Sequence, residues 1–144
     1  MAESICLHYT VPGDDFTRAG EASADLKQRL KKLGLPPDAV RKVSIALYEG
    51  EINLAIHAHG GNIDVEVGDD AVRMTLSDSG PGIADIALAM SEGYSTAPDE
   101  VRSLGFGAGM GLPNMKKYTD EMKIESTVGV GTTVSMTVFT HPQE

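Results

Sequence analysis

One cysteine, Cys6, is all the thiol chemistry available to the 144-residue chain. That excludes an internal disulfide and any CxxC metal site. Positive charge is scarce too: 12 Lys and Arg stand against 21 Asp and Glu, for a net charge of −9. Such a chain has no bulk attraction for nucleic acid or an anionic membrane. It can still take a phosphate-rich ligand if backbone amides and a metal ion handle the charge locally. No apolar run approaches the roughly 18–20 residues needed to span a bilayer. The opening Met-Ala-Glu-Ser-Ile-Cys lacks the basic region and apolar stretch of a signal peptide. Internal repeats and low-complexity tracts are absent as well. A cytoplasmic protein is expected. The hydrophobic fraction of 41% and charged fraction of 23% suit a globular chain, and the length suits a single domain over 1–144.

Glycine, by contrast, is concentrated. "GFGAGMGLPN" (105–114) places Gly105, Gly107, Gly109 and Gly111 at alternate positions ahead of Pro113. Each glycine costs roughly 0.5–1 kcal/mol relative to alanine inside a regular element, so something must compensate. Around this stretch the pattern of elements is readable. "SICLHYTV" (4–11) reads as a first strand, with Cys6 expected to be buried. Over 14–34, Phe16, Ala19, Ser23, Leu26, Leu30 and Leu33 recur at helical spacing, with Gly34 as a stop. Over 36–61, prolines open a second helix, Val40, Val43, Leu47 and Leu54 form its stripe, and Gly60-Gly61 close it. "NIDVEVG" and "AVRMTLSD" alternate around Asp69-Asp70 as a hairpin. Residues 84–104 predict a short helix and a mobile loop. "GLPNMKKYTDEM" predicts a third helix, and "KIESTVG" with "GTTVSMTVF" a final hairpin. Helices and a mainly antiparallel sheet in this order predict a two-layer α+β sandwich.

Three clusters carry chemistry. Glu49, Asn53 and His57 recur every fourth residue and share one helix face. A carboxamide oxygen there can ligate Mg2+ while the carboxylate takes a proton from an attacking group; a solvated helix edge has the same pattern. Asp78 ends the apolar row Val72, Met74, Leu76 in strand register. It needs a donor, and an exocyclic amine such as adenine N6 would serve. "DSGPGI" then turns through Gly80 and Gly82, so an aspartate-capped turn is an equal reading. The glycines before the third helix leave N–H groups open at its positive end, where a phosphate chain or a hinge would fit. No Gly-Lys-Ser/Thr follows, so this is not a Walker loop.

Together and in order, Glu-x-x-x-Asn, Asp-x-Gly-x-Gly-Ile, Gly-x-Gly-x-Gly-Leu and "GTT" (131–133) resemble the GHKL (Bergerat-fold) ATP-binding superfamily, from about residue 36 to 139. The resemblance implies a five-stranded mixed, mainly antiparallel sheet covered on one face by helices, with ATP between them and a lid at about 84–108. Within that superfamily, "ALYEGEINLAIHAHGG", "LSDSGPGI" and "GAGMGLPNMKKYTDEMKIESTVGVGTTV" are similar to bacterial anti-sigma serine/threonine kinases of the RsbW and SpoIIAB type, and closest to the RsbT-like switch kinases. The likeness implies Glu49 as general base, Asn53 as the Mg2+ ligand and Asp78 as the reader of adenine N6. Gly80, Gly82 and Ile83 would shape the adenine pocket, with Thr132 supporting recognition. Gly107, Gly109, Met110, Gly111 and Leu112 would wrap the triphosphate, and Arg102 would reach its end. His8, His57, His59 and His141 are expected to be structural or at the surface. The implied activity is transfer from Mg2+-ATP to a serine or threonine of a STAS-domain antagonist or a stressosome-type scaffold. A sigma factor is a further partner in the family, neither nucleic acid nor membrane is expected as one, and the state would be monomer or homodimer. The alternative is an ATP-binding module that sequesters a partner without significant phosphotransfer.

Overall fold

Alternation with period two decides the architecture. In a computed structural model describing residues 5–13, 20–57, 60–80, 82–83, 90 and 111–140, the side chains of Ile56 and His57 excepted, the elements run β1 (Ile5–Pro12), α1 (Glu21–Lys32), α2 (Pro37–His57), β2 (Gly60–Val67), β3 (Ala71–Ser77), α3 (Gly111–Lys117), β4 (Glu121–Thr127) and β5 (Gly131–Phe139). The strands form one sheet in the order β1-β2-β3-β5-β4. Its four pairings are all antiparallel, so no parallel pair occurs among the described residues. Register aligns Ile63 with Leu76 and Val65 with Met74, then Leu76 with Val134 and Met74 with Met136. These residues are buried in rows across the sheet.

The helices cover that one face. Leu26 and Leu30 of α1, Val43 and Leu47 of α2, and Met115 of α3 join the strand rows in a common core. Fully burying a leucine stabilises by about 1.5–3 kcal/mol, so α1 is held by its apolar face. The expected α2 stripe, Val40, Val43, Leu47 and Leu54, is buried throughout. At Gly50 the helix comes so close to β3 that a Cβ would run into Leu76 Cδ2. That approach lays the second half of α2 along the strand leading to Asp78.

Several boundaries differ from the sequence expectation. Gly20 has φ 104 and caps α1, which begins at Glu21; residues 14–19 of the expected helix, Phe16 and Ala19 among them, lie outside the described residues. At the other end Leu33 is 47% exposed instead of completing the apolar face. The chain leaves the helix there: Gly34 N–H bonds to Lys31 O and Leu35 N–H to Leu30 O, and Leu35 packs inward instead. Gly60 and Gly61 open β2 rather than close α2. The third helix stops at Lys117, because Met122 and Ile124 alternate into β4 opposite Met136 and Val134. Cys6 is exposed, not buried. Leu7, Tyr9 and Val11 face the helices, so Cys6 and His8 face the other way. The expected lid, Arg102, His59 and His141 lie outside the described residues, Met90 within the lid excepted.

Candidate functional site

Two constellations meet where α2 crosses the end of β3. The first is on α2. Glu49 and Asn53 are both half-buried and lie one helical turn apart on the same face. Glu49 Oε1 accepts a bond of 3.4 Å from Asn114 Nδ2 on α3. Burial pushes the Glu49 carboxyl above its ordinary value, and the bond from Asn114 draws it part of the way back. A carboxylate so placed is a stronger base than one in water. His57 shares the helix face, but its side chain is outside the described residues.

The second constellation is a row at the end of the sheet. Asp78 lies beside Thr132, with its N–H donating to Thr132 O at 3.0 Å, and Thr132 pairs across β5 and β4 with Ser126. Asp78 Oδ1 accepts from Gly80 N–H at 2.8 Å and from Thr132 N–H at 3.2 Å. Among the described residues nothing donates to Oδ2. One oxygen is thus fixed by backbone, and no described residue occupies the other. The turn that follows is anchored by Ile83 N–H, which donates to Ser126 Oγ at 2.7 Å. Ser126 Oγ also lies 2.8 Å from Thr132 Oγ1 and 3.3 Å from Gly131 O. Gly82, with φ 79, has no space for a side chain, since a Cβ would sit 2.5 Å from Thr127 O.

Gly61 ties the two constellations together. A Cβ there would be 2.9 Å from Leu54 Cδ2 and 3.3 Å from Asp78 Cβ, so the turn of α2 after Asn53 and the start of the Asp78 row meet at one glycine. Gly111 opens α3, and Leu112 packs partly into the core. Gly107, Gly109 and Met110 lie outside the described residues.

Over residues 14–138 the sequence matches the histidine kinase-like ATPase domain. The chain belongs to that family. Among curated relatives it is 32% identical over 108 residues to the serine/threonine-protein kinase RsbT of Bacillus subtilis, covering 72% of this chain and 75% of that one. It is also 32% identical over 107 residues to an anti-sigma F factor of Caldanaerobacter subterraneus, covering 71% of each. The fold matches a Mycobacterium tuberculosis structure of RsbU and RsbW domains at a TM-score of 0.63 and 18% identity. That match spans 97% of this chain and 34% of the other. The ATPase-domain fold is therefore the α+β sandwich expected, and the anti-sigma and RsbT kinase group is where its relatives lie.

Three polar residues of the site escape the sequence reading. Glu51 is 2% exposed, and its two carboxylate oxygens accept from Ala22 N–H and Ser23 N–H, each at 3.0 Å. It thereby caps α1, whose own cap residue Gly20 offers no side chain. Its sequence signal is the helical spacing Leu47, Glu51, Ala55, which puts a carboxylate in the buried stripe. Ser126 has a similar signal, being polar in the inward row after Met122 and Ile124. Asn114 has none, because its partner lies on another helix. Among the described residues no group of His, Cys, Asp or Glu could hold a metal ion by itself. Asn53 could at most supply one oxygen to an ion held mainly by water and phosphate.

Proposed function

We propose that this chain is an ATP-dependent serine/threonine protein kinase of the anti-sigma regulatory type. Its substrate would be a serine or threonine of a STAS-domain antagonist or stressosome-type scaffold in a partner-switching pathway. The observation that carries the reading is the half-buried Glu49, with its raised proton affinity, one turn from Asn53. The donor arrangement also fits a nucleotide. Asp78 Oδ2 is turned toward no described donor and would accept an adenine amine, with Thr132 beside it. Gly82 lets the turn after Asp78 pack directly against the backbone of Thr127 and Val128, which fixes the floor on which a base would rest.

When bound, Mg2+-ATP supplies the phosphoryl group and the charge neutralisation that phosphoryl transfer depends on. Asn53 would give its amide oxygen to the metal, and Gly107, Gly109, Met110, Gly111 and Leu112 would lie along the phosphates, compensating the cost of so many glycines. Glu49 would take the hydroxyl proton as the substrate oxygen bonds to phosphorus and the bond to ADP breaks. Localisation in the cytoplasm fits, since among the described residues no helix is long and apolar enough to cross a membrane. A monomer or a homodimer would serve this chemistry equally.

The name anti-sigma F factor on similar chains supports a second reading, in which the ATP-bound protein holds a sigma factor and turnover is incidental. Glu49→Gln separates the two. With γ-labelled ATP, Mg2+ and purified STAS-domain proteins, transfer to serine or threonine is expected to fall about 10²–10⁴-fold, with ATP affinity nearly intact. Unchanged transfer would remove Glu49 as the base. ATP binding without any transfer by the wild type would favour the second reading.

A further inference from the structure

Half of the chain's positive charge sits in one short segment. Of the 12 Lys and Arg, six fall between Lys27 and Lys42, where Asp38 is the one carboxylate, although the whole chain carries −9. The segment covers the last turns of α1, the connection and the first turns of α2. There the two helices part to leave a groove of about 480 Å³. Lys27, Lys31 and Arg41 stand along it, with Leu35, Pro37 and Ile45 between them. The Ser44 hydroxyl is committed to Val40 O at 2.7 Å, so its proton is not offered to the groove.

The cations are available. Lys27 and Lys31 are exposed and make no ion pair among the described residues. Arg41 shares Asp38 with Lys42, at 3.5 and 3.2 Å, so one carboxylate is divided between two cations. Arg41 also lies 5.7 Å from the Tyr118 ring centroid, which steadies it at the rim. Asp25, the nearest carboxylate on α1, is engaged by Arg29 and Tyr9, each at 2.7 Å.

We propose that this groove docks an acidic amphipathic helix from a protein partner. Lys27 and Lys31 are one turn apart, about 6 Å along the axis, which suits carboxylates three or four residues apart on the partner, with apolar side chains between them entering the groove. Charge complementarity decides the class of partner. A short acidic segment meets only the basic island, whereas a nucleic acid or a membrane surface would extend over the acidic remainder. Arg41 and Glu49 are eight residues apart on α2, about 12 Å, so a partner held here stays within one domain radius of the candidate base. The inference stands whether or not that base transfers phosphate.

The test uses the full chain, 15N-labelled, and a synthetic peptide of repeating Leu-Glu-Glu-Leu units. Its control is a peptide of identical composition, scrambled so that leucines and glutamates do not segregate. Amide shifts are expected to concentrate at Lys27, Lys31, Leu35, Val40 and Arg41. The doubly substituted Lys27→Glu, Lys31→Glu is expected to weaken binding at least tenfold, and Arg73→Glu on the far face of the sheet less than twofold. If the Glu pair fails to fold by circular dichroism, Lys27→Gln with Lys31→Gln should still weaken binding about threefold. Equal binding by the scrambled peptide, unchanged binding by the charge variants, or shifts elsewhere would overturn the proposal. So would tighter binding at these residues of phosphatidylglycerol vesicles or duplex DNA.

Discussion

Ser126 offers the sharpest test of the sheet-end row. Its hydroxyl has one proton and two acceptor sites, and three neighbours occupy them: Ile83 N–H at 2.7 Å, Thr132 Oγ1 at 2.8 Å and Gly131 O at 3.3 Å. Ser126→Ala removes all three contacts and adds no bulk. Ile83 N–H loses its acceptor, which costs about 1–3 kcal/mol if no water replaces it, and the contact with Thr132 adds about 0.5–1.5 kcal/mol. Ser126 is half-buried, so partial rescue by water puts the expected loss at about 1–2 kcal/mol. Urea unfolding followed by circular dichroism reads this as a lower midpoint with an unchanged slope. The same substitution frees the 80–83 turn, so calorimetry should show weaker ATP binding. Ser126→Thr, which keeps the oxygen, should restore most of both. If Ser126→Ala matched the wild type in midpoint and in ATP affinity, the bond to Ile83 would hold nothing and the row would be no part of the site.

The other expectations are narrower. Glu51→Ala leaves two backbone N–H groups of α1 without their carboxylate, so unfolding stability should fall by about 2–4 kcal/mol; Glu51→Gln, which keeps one acceptor, should lose less, and an unchanged melt for Glu51→Ala would refute the cap. Asn114→Ala removes the bond that lowers the Glu49 carboxyl, which in the proposed reaction would work as the anion above its pKa. Transfer should therefore begin to rise at higher pH than in the wild type, and a displacement of the acidic limb to lower pH would contradict the assigned cause.

What the sequence revealed follows the range of the interactions. The stripe Val40, Val43, Leu47, Leu54 and the hairpin around Asp69-Asp70 are local periodicities, and both stand where spacing put them. Helix ends were harder. At the first helix, Gly20 at φ 104 sets the start at Glu21, a cap that apolar spacing does not show. Helical propensity carried the third helix through Met122, while the pairing of Met122 with Met136 settles that residue as strand. For Cys6 the general tendency of cysteine to be buried conflicted with the phase set by Leu7, Tyr9 and Val11, and the phase prevailed. Ser126 stands out locally as a polar residue in an inward row, but its partner Ile83, 43 residues away, does not, and Asn114, 65 residues from Glu49, has no local signal at all.

The Glu-Gly-Glu of α2 shows how far residue type falls short of role. Glu49 and Glu51 are two residues apart, which on a helix turns them about 200° from one another. Phase alone sends Glu51 to the Leu47 and Ala55 stripe and Glu49 to the side of Asn53. Packing then separates their chemistry. Both oxygens of Glu51 are taken by backbone donors at 3.0 Å, so its charge is committed to holding α1. Glu49 has one long bond at 3.4 Å, and burial that raises its affinity for a proton. Gly50 between them brings the helix close against Leu76, and with it both carboxylates to their places. A carboxylate fully engaged by backbone is structural; its half-buried and loosely held neighbour is the one able to take a proton and release it.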